Sequence, residues 1–223
     1  MEFGNTYIFL FGFKMFEPMV LLMNSIFFIL CLLYFNRLNK YHHPYAKQMA
    51  RFILLLGTSS LFGAIGHGVQ LQMGDLFFKI ILFLMNAFSL FSIYFCFRSA
   101  YTYSNLNKEP AKKYIYLVIT WVFILLIASG IQGNFLVIKI HAGIVLLYSL
   151  IAHYIVYRRN HDNGSLGVVI GILISFLPII VHSLRISMSE WFNHKDIAHT
   201  LMIISLIVIY KGVKISSERL KHV

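Results

Sequence analysis

Along the 223 residues, long apolar runs alternate with short breaks carrying charges, Gly or Pro, and this happens seven times. A helix needs about 20 mostly apolar residues to cross roughly 30 Å of hydrocarbon. Runs of that length fall at about 16–35, 52–73, 76–97, 114–132, 135–157, 166–187 and 197–213. The pattern predicts an all-α membrane protein, a seven-transmembrane helix bundle. No internal repeat is visible and the connectors are short, so residues 1–223 read as one domain. The stretch Tyr7 to Phe13 is too short to cross and reads as an interfacial lead-in. The longest connector, Asn36 to Arg51 with His42, His43 and Pro44, reads as a solvated loop.

Composition agrees with a bilayer as the solvent. Hydrophobic residues make up 59% of the chain and charged ones 12%, and the mean hydropathy is +0.75, well above a soluble domain of this size. Cys31 and Cys96 both lie in apolar runs near one end of their spans, which disfavours a structural disulfide, and two thiols cannot build a thiolate metal site. Met1 to Lys14 lacks the basic segment and small-residue cleavage pattern of a secretory signal, so the first apolar run is kept as structure.

Charge sets the orientation. Of the 19 Lys and Arg, 14 fall in the segments after spans one, three, five and seven, beside three acids; the remaining five, Lys14, Lys79, Lys139, Arg185 and Lys195, share the other side with five acids. Such a split over short loops places the 14 in the cytoplasm, with the N-terminus outside and the C-terminus cytoplasmic. The net charge of +11 is therefore a topology signal directed at anionic headgroups. Membrane lipids are the expected partners and nucleic acid is not. The inner (plasma) membrane of a bacterium is the expected location.

An ionisable group within a span costs a few kcal/mol to insert, which makes it a functional-site hypothesis by default. With the orientation set, His67, His141, His182 and His199 share one depth layer in the outer half; His67 lies roughly 9 Å from its span's end. His194 sits just above them, and His153 lies toward the cytoplasmic side. In span two, Ser60, Gly63, His67 and Gln70 step by three and four residues and share a face; Ser175, Pro178, His182 and Arg185 do the same in span six. Asp196 and His199 share a face at the head of span seven. The expectation is a polar pocket in the outer half, lined by spans two, five, six and seven. Taken singly, the small residues of these stripes are more often helix packing, and one histidine is as often a hydrogen bond between helices as a ligand. Asn86, in mid-span three, fits a hydrogen bond or the pocket floor equally.

Neutral imidazoles with a carboxylate suit zinc or a similar divalent ion, which takes three protein ligands and leaves one position for water in a catalytic site. Metal-bound water has its pKa brought near 7 and can attack an ester or amide carbonyl. His67 and His199 are the first candidate ligands, with a third drawn from Asp196, His182, His141 or His194; Asp196 and Ser60 are the candidates for a catalytic role beside the ion. A site opening in the outer leaflet points to a lipid amide or ester, or another small hydrophobic substrate.

The stretch Leu61-Phe62-Gly63-Ala64-Ile65-Gly66-His67, with Trp191-Phe192-Asn193-His194-Lys195-Asp196-Ile197-Ala198-His199 entering span seven, resembles the superfamily of seven-span hydrolases that includes alkaline ceramidases and progestin/adiponectin-type receptors. The resemblance implies a zinc ion held by a histidine late in span two and a His-x-x-x-His pair opening span seven, with an acid in span three. His67 and His199 match ligand positions. Gly63 stands where that family has serine, Lys195 stands at the first of the paired histidines, and span three has no matching acid, since Asp75 lies at its margin and Asn86 is neutral. A non-catalytic receptor or small-ligand carrier using the same pocket is the alternative, with histidines as hydrogen-bonding or pH-sensing groups. Haem ligation by facing histidines is a third reading. A retinal Schiff base fits poorly, because Lys211 lies at the cytoplasmic end of span seven.

Overall fold

All seven apolar runs become helices in the computed structural model, which describes residues 6–10, 12–69, 74–105, 110–132 and 136–220. The helices are α1 (Pro18–Leu38), α2 (Pro44–Val69), α3 (Gly74–Ser104), α4 (Lys112–Gln132), α5 (Leu136–Asn160), α6 (Asn163–Leu184) and α7 (His194–Arg219). Each is long and apolar enough to cross a membrane, and large aliphatic side chains such as Ile127, Ile144 and Ile179 stand exposed on the outer faces. The protein is an integral membrane protein with an all-α seven-helix bundle. Short connectors make consecutive helices antiparallel, so α1, α3, α5 and α7 start at one end, and α2, α4 and α6 start at the other, basic end.

Before α1, strands β1 (Tyr7–Leu10) and β2 (Phe13–Phe16) pair antiparallel, with Tyr7 opposite Phe16 and Phe9 opposite Lys14. The expected lead-in is thus a closed hairpin. Gly12 turns it at φ +82°, a left-handed value that glycine adopts without steric cost. The Lys14 ammonium lies 3.9 Å from the centre of the Tyr7 ring, and Tyr7 and Phe9 are exposed, an arrangement suited to the headgroup layer. This hairpin marks the end of the bundle opposite the basic one.

Several helices outrun their apolar patterns, α2 and α3 by the most. The loop expected over Asn36 to Arg51 is mostly helix: α1 continues to Leu38 and α2 begins at Pro44, a residue whose fixed φ and missing N–H suit a first helical turn. Charges punctuate this stretch, but Tyr45, Ala46, Met49 and Ala50 return on one face and are buried. His43 is also not a solvated loop residue: its Nδ1 accepts the Ala46 N–H at 3.3 Å and its Nε2 faces the Ser217 carbonyl at 3.3 Å. His42 and His161 are exposed, while His222 lies outside the described residues. Helix α3 extends through Ser99, Ala100, Thr102 and Tyr103, all buried.

Helices α6 and α7 pack backbone against backbone where Gly212 meets Gly164 and Val168. A Cβ at Gly212 would lie 2.6 Å from the Gly164 carbonyl oxygen and 2.7 Å from the Val168 nitrogen. Only hydrogen fits there, as small-residue helix contacts in membranes require.

The basic end is pinned by a buried polar cluster. Asp162, at the N-cap of α6, accepts hydrogen bonds from the Gly164 and Ser165 N–H groups (3.2 and 2.9 Å) and from the hydroxyls of Ser165 (2.7 Å), Ser216 (2.6 Å) and Tyr103 (2.5 Å). It therefore ties α3, α6 and α7 together. Beside it, His153 is fully buried, with Nδ1 2.8 Å from the Ser149 carbonyl and Nε2 3.1 Å from the Tyr45 hydroxyl. A carbonyl only accepts, so Nδ1 carries the proton and Tyr45 donates to Nε2. Cys31 and Cys96 are free thiols in the core.

Candidate functional site

The hairpin end gathers the ionisable groups, and Glu17 is at their centre. This residue closes the hairpin, its N–H donating to the Thr6 carbonyl at 2.9 Å, and occupies the N-cap of α1. An N-cap acid ordinarily turns its carboxylate onto the first helical N–H groups; the Glu17 side chain makes no cap bond. It points instead into the bundle, where it is 6% exposed. One carboxylate oxygen accepts from His67 Nδ1 at 2.7 Å and the other is paired with the Lys195 ammonium. The backbone bears the strain: φ is 47° and ψ 58°, a left-handed conformation for a non-glycine residue, in front of a proline that favours an extended predecessor. Such a conformation costs about 1–3 kcal/mol and persists only where surrounding contacts enforce it.

The hydrogen bond from His67 is the largest influence on the Glu17 carboxyl. Burial opposes it, and the Lys195 hydrogen bond and charge reinforce it, so the pKa falls from 4.5 to about 2.

A second layer lies about two helical turns deeper along α1. Asn24, seven residues after Glu17 and hence on the same face of α1, is 4% exposed. Its side-chain nitrogen donates to the Val20 carbonyl at 2.9 Å and lies 3.2 Å from His199 Nε2, while its oxygen accepts the Ser60 hydroxyl at 2.5 Å. The Val20 carbonyl and the Ser60 hydroxyl together fix which end of the amide is nitrogen. Asn24 therefore donates to His199, whose Nε2 carries no proton in this arrangement.

At the head of α7, Asn193 and Asp196 form a capping box: the Asn193 side chain accepts the Lys195 N–H at 2.8 Å, and the Asp196 carboxylate accepts the Asn193 N–H at 2.9 Å. The second oxygen of Asp196 is buried and has no hydrogen-bond partner among the described residues. The rings of His182 and His194 meet edge-on with centres 5.4 Å apart, and His199 lies within electrostatic reach of His67, His182 and Glu17.

The expected centre is thus assembled in part. His67, His182, His194, Asp196, His199 and Ser60 occupy the hairpin end of α2, α6 and α7, but the wall expected from span five is supplied by α1. His141 does not reach this centre: it lines a separate apolar groove of about 260 Å³ between α3, α4 and α5, beside Ile93, Tyr94, Phe97 and Trp121. Its residue spacing fixes a depth but not an azimuth, and α5 turns this face toward α3 and α4. Ser60 is a donor to Asn24 rather than a free hydroxyl, and Ser175 donates to the Ile172 carbonyl of its own helix. Gln70 lies outside the described residues. Asn86 is buried in α3, and its side-chain oxygen has no partner among the described residues.

Glu17 and Asn24 lie outside the set of site residues expected from the sequence. The same rule that singled out the histidines applies to both, since span one as bracketed contains one acid and one buried amide seven residues apart.

A catalytic zinc shell needs three protein donors around one point. His67 has the partner that a metal-binding imidazole uses, because a carboxylate on Nδ1 orients Nε2 toward a metal. The other positions do not follow: the Asn24 amide occupies Nε2 of His199, the Lys195 ammonium stands where the resembling family has an imidazole, and one oxygen of Asp196 caps a helix. Among the described residues, no three His, Cys, Asp or Glu side chains converge to hold an ion. The donor set does not fit a three-ligand zinc centre.

What the arrangement provides is a low-dielectric pairing of one carboxylate with an ammonium and an imidazole, above an amide, a hydroxyl and a second imidazole with a defined tautomer. Such groups bind, orient and exchange protons; no nucleophile activated by an adjacent base stands among them. No curated protein and no solved structure matches this chain. A family model does, across residues 19–218, and the chain belongs to the family of unknown function DUF6962.

Proposed function

We propose that this protein is a non-catalytic seven-span receptor or small-ligand carrier whose binding centre is the Glu17, His67 and Lys195 cluster with His199, Asn24 and Ser60 beneath it. The observation that carries the reading is the salt bridge of buried Glu17 to Lys195 and His67. It places costly polar groups at the junction of α1, α2 and α7, where binding and helix movement are readily coupled. The zinc hydrolase of lipid amides or esters, implied by the resemblance to the ceramidase superfamily, keeps one supporting feature, the carboxylate on His67 Nδ1.

Metal analysis of protein purified without chelators, beside a thermal-shift survey of small polar molecules, separates the two. The expected result is a substoichiometric metal content and at least one compound that raises the melting temperature of wild type but not of His199→Ala. One zinc ion per chain, lost in both His67→Ala and His199→Ala, would overturn the receptor or carrier reading in favour of the hydrolase.

The orientation belongs to the same proposal, with the basic end in the cytoplasm and the hairpin end outside. Reporters fused after Lys221 or within Lys108 to Lys113 are expected to read cytoplasmic, and one inserted at Gly133-Asn134 external; the inverse pattern would put the binding centre on the cytoplasmic side.

A further inference from the structure

Glu17 is held in its place at a cost. Its carboxylate abandons the helix N-terminus beside it, its backbone adopts φ 47° in front of Pro18, and its N–H ties it to the hairpin. What it covers is the Lys195 ammonium and the His67 imidazole, which both contact it directly. Facing the same region, the Asp196 carboxylate has one buried oxygen with no partner among the described residues, an acceptor that calls for a donor.

We propose that Glu17 is an internal stand-in for the ligand, and that a small carboxylate carrying a hydroxyl or ammonium donor binds by displacing the Glu17 carboxylate from Lys195 and His67, its donor reaching Asp196. The inference rests on the receptor or carrier reading and names its ligand class. An anion of like charge exchanges for Glu17 without leaving the partly exposed Lys195 ammonium unpaired. Displacement frees Glu17 from the left-handed backbone, and the hairpin that precedes it is the element released. Binding is thereby coupled to movement of the chain ahead of α1. Apparent affinity in wild type is lowered by the fraction of molecules in which Glu17 holds the site.

Calorimetric titration of the full chain in detergent micelles with lactate tests this, with propionate as the comparison lacking a donor. Glu17→Gln is expected to bind lactate about tenfold or more tightly than wild type, the gain when a self-occupied fraction of about 90% is abolished. Glu17→Asp, whose shorter side chain reaches Lys195 less well, is expected to fall between. Addition of Lys195→Met to Glu17→Gln is expected to abolish binding, and propionate to bind Glu17→Gln more weakly than lactate. Should Glu17→Gln fail to fold, Glu17→Asp decides. Unchanged lactate affinity in the folded variant overturns the inference, as does lactate binding that survives Lys195→Met; propionate binding as tight as lactate overturns the role of Asp196. If the variants bind neutral polar molecules but gain nothing for lactate, only this inference falls. A stoichiometric zinc ion would remove the reading beneath it.

Discussion

Asp162→Ala is expected to destabilise the protein by about 3–5 kcal/mol, the range for removing one partner of a buried charged network. The carboxylate is 2% exposed and accepts five hydrogen bonds, from two N–H groups at the start of α6 and from three hydroxyls on α3, α6 and α7. Its truncation leaves all five donors unpaired in a region that excludes water, and each such donor carries a desolvation cost. Burial is the largest single influence on the Asp162 carboxyl and pushes its pKa up, but the hydrogen bonds from Ser165, Ser216 and Tyr103 together outweigh it and hold the group below its usual value. Thermal unfolding in micelles, followed by circular dichroism, should show a fall in melting temperature of roughly 10 °C or more. Asp162→Asn is expected to lose nearly as much, since the amide presents donors to donors. Tyr103→Phe, which removes one hydroxyl from a still-satisfied acceptor, should cost about 1 kcal/mol. A loss in Asp162→Ala no larger than that of Tyr103→Phe would show that the cluster does not anchor these helices.

The bundle was legible in the sequence because the bilayer imposes one demand, a long apolar run, that a chain can meet only in a visible way. All seven runs became helices. Their polar ends were less legible. Tyr45, Met49 and Tyr103 are buried by neighbours from distant parts of the chain, so α2 begins before its apolar run and α3 continues past it. Asp162 follows Asn160 and His161 and precedes Asn163, a run that reads as an ordinary polar loop; only the fold brings Tyr103 and Ser216 to it. At the hairpin end, helical spacing predicted the shared face of Ser60 and His67, and loop charge predicted which histidines would lie at one level. Level is not azimuth, which is why His141 faces a groove between α3, α4 and α5 instead of the centre. The Lys195 position shows the limit most clearly. Read against a resembling family it was a departure from a metal shell, whereas in the bundle its ammonium is the partner of Glu17, a contact across 178 residues that no local pattern announces.

Glu17, His67 and Lys195 form one electrostatic unit at the junction of α1, α2 and α7, and a double-mutant cycle on Glu17→Gln and Lys195→Met measures its coupling. Glu17 is 6% exposed but Lys195 is 31% exposed, so the pair is worth less than a fully buried one; a loss of about 1–3 kcal/mol for each single variant and a coupling of about 1–2 kcal/mol are expected. The pH dependence has a definite sign. The Glu17 carboxyl titrates at 4.5 when unfolded and at about 2 in the fold, so its contribution is full above pH 4.5 and is lost progressively as the pH falls to about 2. Lys195 from α7, His67 from α2, and Asp196 and His199 nearby are the titratable groups that face it. The stability gap between wild type and Glu17→Gln should therefore be constant above pH 4.5 and close below it. Additivity of the two substitutions within about 0.5 kcal/mol, or a gap that does not change between pH 4.5 and 2, would show that the Glu17 carboxylate and the Lys195 ammonium do not act as a unit.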